Sequence, residues 1–168
     1  MTTRDKFVNK AVNLVNNHCI YLWGAQGEKV KDLAADDYKK VYQKETSKDN
    51  AEAVIKRIEL QQAIGWNSNK TKAFDCSGAV CYLLALIGRE PAGFDMKADD
   101  LAKRYPCRVA PVRGCLLHRP GHIGIYIGGG YLVEAKGRKY GVTVSPYYSK
   151  EWDGQFPDPF KDDNYVSS

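Results

Sequence analysis

The sequence predicts an α+β fold, with helices first and an antiparallel sheet second. Up to about residue 105 the apolar residues recur at helical spacing, and from Val109 onward they alternate with period two between glycine turns. Runs of helices followed by runs of strands are the pattern of an antiparallel sheet with its helices segregated from it. Between the two halves lies an apolar run from Ala79 to Ile87, stopped by Gly88, which reads as a short buried helix.

The elements follow in order. Thr2 or Thr3 can cap a first helix carrying Phe7, Ala11, Leu14 and Val15 on one face and ending near Cys19. Tyr21-Leu22-Trp23-Gly24 is an aromatic turn. From Glu28 to about Ile64 the pattern is helical twice: one stripe runs from Val30 to Tyr42, and a second helix from Asp49 or Asn50 carries Val54, Ile55 and Ile58. A polar loop leads from Gly65 to Ala73. After the buried helix, Pro91-Ala92-Gly93 sets off a short amphipathic segment from Asp99 to Tyr105. Strands are expected at Cys115–His118, His122–Gly128, Tyr131–Lys136 and Gly141–Ser145, and a loose tail from Pro157. No repeat, low-complexity tract or linker divides the 168 residues, so one domain over 1–168 is expected.

Composition narrows the function classes. Hydrophobic residues make up 43% of the chain, which places it among globular proteins. The net charge of +5 is spread along the sequence, suiting general attraction to an anionic polymer, and no aromatic-interleaved basic motif supports nucleic-acid readout. Five cysteines cannot all pair with one another, so a full disulfide framework is excluded. The polar opening Met1–Lys6 lacks the apolar core of a signal peptide, and no run is long enough to span a membrane. The expectation is a soluble, monomeric protein made in the cytoplasm without its own export signal.

The chemistry concentrates on two segments. Asp75-Cys76-Ser77-Gly78 puts a cysteine on the first turn of the buried helix, with Asp75 as N-cap. Unpaired N–H groups at a helix start favour thiolate over thiol, and the thiolate is the form that attacks a carbonyl carbon. Downstream, His122-Ile123-Gly124-Ile125-Tyr126-Ile127-Gly128 supplies a histidine on a strand. If Gly128-Gly129-Gly130 forms a three-residue loop, His122 and Glu134 lie diagonally on one sheet face; a two-residue loop separates them onto opposite faces. Gly124 would leave room beside His122 for the cysteine helix or a substrate. The set would then act as nucleophile Cys76, acid–base His122 and orienting Glu134, with helix-start N–H groups and the Tyr21 hydroxyl as candidate oxyanion donors.

Taken singly, each residue has an ordinary structural explanation. Cys76 could be a small buried hydrophobe, as Cys81 is expected to be; Tyr21 and Trp23 read first as core packing. Cys107, Cys115, His118 and His122 form an alternative metal-ligand set, though their spacing matches no ordinary zinc knuckle. His118 ranks second as general base because it lies outside the alternating strand.

Together, Phe74-Asp75-Cys76-Ser77-Gly78, the strand from His122 to Gly128 and the turn Tyr21-Leu22-Trp23-Gly24-Ala25 resemble the signature of the NlpC-type cell-wall cysteine peptidases, in order, from about Asn9 to Ser145. The resemblance implies a papain-like fold and no metal or organic cofactor. It implies hydrolysis of peptidoglycan stem peptides, usually between D-γ-glutamate and a diamino acid. By position it makes Cys76 the nucleophile and His122 the base, places Tyr21 at the oxyanion, and lines the substrate groove with Asp75 and Ser77. Three features depart from the family pattern. Glu134 stands where a second histidine is usual, and Gly114-Cys115 replaces a Gly-Asp step. A helical insertion of about 28–72 precedes the nucleophile and could cap or wall the groove.

The leading expectation is therefore a cysteine endopeptidase of cell-wall peptides, working through a thioester acyl-enzyme. The alternatives are an N-acetylmuramoyl-L-alanine amidase using the same residues and a non-hydrolytic wall-binding module. The absence of a signal peptide and of wall-binding repeats suggests a phage-type lysin (endolysin) or a domain excised from a larger hydrolase.

Overall fold

The structure is a computed structural model, and it describes residues 1–163. Helix α1 (Thr3–Asn16) starts at a reciprocal cap: the Thr2 hydroxyl accepts from the Asp5 amide and the Asp5 carboxylate accepts from the Thr2 amide, both at 3.0 Å. The chain then runs through β1 (Ile20–Tyr21), β2 (Gln26–Lys29), α2 (Val30–Leu33), α3 (Ala35–Lys44), α4 (Lys48–Ala63) and β3 (Lys72–Phe74). Helices α5 (Cys76–Leu86) and α6 (Ala98–Arg104) lead into β4 (Cys107–Arg108), β5 (Leu116–Arg119), β6 (His122–Gly128), β7 (Tyr131–Gly137), β8 (Gly141–Pro146) and β9 (Phe156–Pro157).

Strands β5-β6-β7-β8 form the antiparallel sheet, in chain order. Ile123, Ile125, Val133 and Ala135 give it an apolar face, which packs with Val80, Leu83 and Leu84 of α5 and Phe7, Ala11 and Leu14 of α1. The architecture is the α+β arrangement expected. Among the described residues no helix is long and apolar enough to cross a membrane.

The insertion has a core of its own, in which Leu33, Val41, Val54 and Ile58 surround Ile20 and Leu22. Two details differ from expectation. Residues 26–29 are a strand on β3, not the start of a helix. The single stripe from Val30 to Tyr42 is broken where Asp36, Asp37 and Tyr38 adopt φ of 53°, 52° and 63°.

The tail also differs. Phe156–Pro157 pairs with Cys107–Arg108, and Phe160 is wholly buried against Phe7. A buried Arg4–Asp158 ion pair ties this segment to α1. Aromatic burial and charge pairing with the far end of the chain are long-range effects that local composition does not show. Residues 164–168 of the expected loose tail lie outside the described residues.

Candidate functional site

The site is assembled where the start of α5 meets the starts of β6 and the end of β7. Asp75 caps α5: its Oδ1 accepts from the Gly78 amide at 2.6 Å and its Oδ2 from the Gly24 amide at 3.0 Å. One carboxylate thus fixes both the cysteine turn and the Tyr21-Trp23-Gly24 turn. Burial pushes the Asp75 carboxyl up, against the hydrogen bonds from Gly78, Gly24 and Ser77.

The hairpin between β6 and β7 decides whether histidine and glutamate can meet. Its turn is two residues long, Gly129 and Gly130, both at positive φ. That turn alone would separate them. A bulge at Ile127, between the pairs Tyr126–Leu132 and Gly128–Tyr131, shifts the register by one residue and puts them back on one face. His122 Nε2 lies 2.7 Å from Glu134 Oε1. The route is not the three-residue loop, but the juxtaposition is the one that loop would produce. Gly124 does not open space for the helix: a Cβ there would lie 2.9 Å from Leu132 Cδ1 and 3.4 Å from Glu134 Cβ. Its lack of a side chain admits neighbours within the sheet.

Since Nε2 is bound to Glu134, Nδ1 is the ring nitrogen left for Cys76, which lines the same cleft. The Cys76 thiol further donates to the Gly121 carbonyl at 3.7 Å. Burial alone would lower the His122 pKa; the Cys76 and Glu134 side chains nearby outweigh it and push the pKa up to about 9. Burial likewise opposes ionisation of Glu134, yet His122 and Ser145 hold it below its ordinary value. At neutral pH the pair is imidazolium and carboxylate.

Cys76 and His122 line a cleft of about 610 Å³, together with Tyr21, Asp75, Ser77 and Arg138. Burial, with Cys76 and Asp75 nearby, pushes the Tyr21 hydroxyl up to about 12, so it remains a donor. Trp23 is exposed at the cleft rim, not packed in the core as its aromatic character suggests. No described residue of the 28–72 insertion lines this cleft.

His118 is held elsewhere. Its Nδ1 meets Asp153 Oδ2 at 2.6 Å and its Nε2 meets Asp99 Oδ1 at 2.8 Å, which leaves neither nitrogen for a thiol. The alternative metal set is not gathered: Cys115 is wholly buried, and among the described residues no group of three or more His, Cys, Asp or Glu is placed to hold an ion. Three contributors escape the sequence reading. Trp152 stacks on the His122 ring at 5.8 Å, Arg119 lies over Trp152 at 4.7 Å, and Ser145 helps hold the Glu134 pKa down. Trp152 lies thirty residues beyond His122 in irregular chain, where spacing carries no signal. Ser145 could have been found by following the face of Glu134 onto β8.

The NlpC/P60 family model matches residues 61–158, more than half of the chain and the span holding Cys76, His122 and Glu134. The chain belongs to the NlpC/P60 family. A relative within reach is the peptidoglycan endopeptidase RipB of Mycobacterium tuberculosis, 34% identical over 79 residues. That match covers 45% of this chain and 33% of RipB, so the chain spans only a third of that relative's length. Among solved structures, the P60 domain of a Mycobacterium avium subspecies paratuberculosis antigen superposes with a TM-score of 0.55 at 16% identity, over 95% of this chain and 99% of that one. That likeness is one of fold, and it places the NlpC/P60 chain in the papain-like α+β class.

Proposed function

We propose that the protein is a cysteine endopeptidase of bacterial peptidoglycan stem peptides, with Cys76 as nucleophile. The observation that carries this reading is Cys76 and His122 at one cleft, with Glu134 bonded to His122 and a His122 pKa of about 9, in an NlpC/P60 chain. RipB, an endopeptidase by name, supports the substrate class.

In this reading the Cys76 sulfur attacks the scissile carbonyl carbon as thiolate. The oxyanion is met by the backbone N–H of the α5 start and by the Tyr21 hydroxyl. As the tetrahedral intermediate collapses, the C–N bond breaks and the imidazolium of His122 gives its proton to the leaving amine. A thioester joins Cys76 to the acyl fragment. Neutral His122 then takes a proton from water, which attacks the thioester, and the thiolate–imidazolium pair is restored. Glu134 keeps the ring oriented and its charge compensated throughout. Asp75 and Ser77 sit where they can contact the peptide. The bond joining D-γ-glutamate to the diamino acid is the one the family resemblance favours.

The test is digestion of purified peptidoglycan by wild type and Cys76→Ala, with mass spectrometry of the released fragments. Cys76-dependent cleavage within the stem is the expected result. Release at the lactyl amide would replace the endopeptidase with an amidase using the same residues. No release by a folded wild type would overturn the hydrolase reading in favour of wall binding.

A further inference from the structure

The insertion contributes nothing to the cleft lining, yet it grips the strand turn that walls the cleft at two points. Arg57 of α4 donates to the Lys139 carbonyl at 2.7 Å, in the turn between β7 and β8. Glu45, the residue that ends α3, is the second point, and its side chain is wholly buried. Its Oε2 accepts from Arg138 Nε at 2.8 Å and from the Trp23 amide at 3.2 Å; its Oε1 accepts from Arg138 Nη2 at 2.6 Å and from the Thr46 amide at 3.0 Å. One carboxylate therefore joins the insertion, the Tyr21-Trp23 turn and the cleft wall. The guanidinium so fixed lies over the Tyr21 ring, 5.3 Å from its centroid.

We propose that Glu45 is a positioning residue for catalysis: through Arg138 and the Trp23 amide it holds the Tyr21 hydroxyl at the oxyanion. The inference rests on the proposed role of Tyr21 above. The chemistry is that of preorganisation. A phenol aimed at a developing negative charge helps most when its ring cannot reorient, and a neighbouring cation adds to the stabilisation. A bidentate guanidinium–carboxylate pair supplies both a fixed plane and a fixed charge, which lysine cannot reproduce. The insertion is then a buttress for the site and not a lid over it.

The test is a double-mutant cycle of Glu45→Gln and Tyr21→Phe, read in two assays. One is steady-state cleavage of a peptidoglycan stem peptide. The other is acylation of Cys76 by p-nitrophenyl acetate, with Cys76→Ala as blank. Glu45→Gln is expected to cut kcat and the acylation rate about tenfold with KM within twofold. In the Tyr21→Phe background the same substitution should change either rate less than twofold. Arg138→Met should reproduce the Glu45→Gln loss, and Arg138→Lys should not rescue it. If Glu45→Gln does not fold, Arg138→Met in the same cycle decides the matter. Unchanged rates, losses that multiply with that of Tyr21→Phe, or a KM effect alone would overturn the proposal. Ester acylation that follows the expected pattern while stem peptides stay intact would uphold it and sink the substrate reading instead.

Discussion

His122 and Glu134 meet at 2.7 Å across β6 and β7 only because the Ile127 bulge offsets a two-residue glycine turn. The contact matters for the proton inventory, since Glu134 is one of the two groups that raise the His122 pKa to about 9. The imidazolium is present below that pKa and lost above it. The alkaline limb of kcat/KM should therefore fall near pH 9, as a property of the coupled Cys76–His122 pair. Glu134→Gln removes the compensating charge, so the limb should move to lower pH and kcat should fall about 10²- to 10⁴-fold. A pH–rate profile checks both. An alkaline limb that stays in place would show that Glu134 does not set the charge on His122.

Arg4 and Asp158 make a second long-range pair, 2.9 Å apart and both side chains buried, with Arg108 also on Asp158. Burial opposes the Asp158 charge, but Arg4 and Arg108 outweigh it and hold the carboxyl below its ordinary value. A depressed carboxylate pKa stabilises the fold above the unfolded value, about 3.9, and the contribution is lost as pH falls through the lower folded value. Asp158→Asn leaves two cations against a neutral amide in the interior and should cost about 3–5 kcal/mol. Urea denaturation at pH 7 measures the cost. At pH 2 the difference between wild type and variant should shrink.

These two pairs mark what the chain reveals before it folds. The strand positions, the α5 cap at Asp75 and the parity linking His122 to Glu134 are written in short-range spacing, and they were legible to within the turn geometry. The bulge was not, because a run of three glycines permits several turns and the neighbouring packing selects one. Nor was the order of the tail, since Phe160 and Asp158 owe their burial to α1, more than 150 residues away. Trp152 over His122, and Glu45 on Arg138, are contacts made from irregular chain beyond the helices and strands, where no period exists to read.

The five cysteines should separate by reactivity. Burial pushes the Cys19 thiol up to about 11 and those of Cys81 and Cys115 up to about 12, and all three are enclosed. Cys76 is half-buried and lines the cleft beside His122, where a reagent can reach it. Brief iodoacetamide treatment at pH 7 should alkylate Cys76 first, with the half-buried Cys107 slower and the other three spared until unfolding. Peptide mapping by mass spectrometry reads the order. Prior labelling of Cys107 would mean that His122 does not activate its neighbour.

Gly78 follows Ser77 at the start of α5 for a reason that neither turn chemistry nor flexibility supplies, since its φ is not in the left-handed region. A Cβ at this position would lie 2.2 Å from the Ala25 carbonyl oxygen and 2.7 Å from Asp75 Oδ1. The first of these atoms is backbone, and it already accepts from the Asp75 amide at 3.0 Å. The second is the carboxylate oxygen that caps α5 through the Gly78 amide itself. Relief of the clash must therefore move either the Tyr21-Ala25 turn or the cap, and each carries part of the cleft. Gly78→Ala should destabilise the fold by about 1–3 kcal/mol, the usual range for a forced methyl in packed surroundings. It should also lower kcat more than that loss of folded protein explains, because Cys76 and Tyr21 are pushed apart. Thermal denaturation beside single-turnover acylation separates the two effects. Wild-type acylation by the folded variant would mean that the α5 start tolerates the shift without moving Cys76 relative to Tyr21.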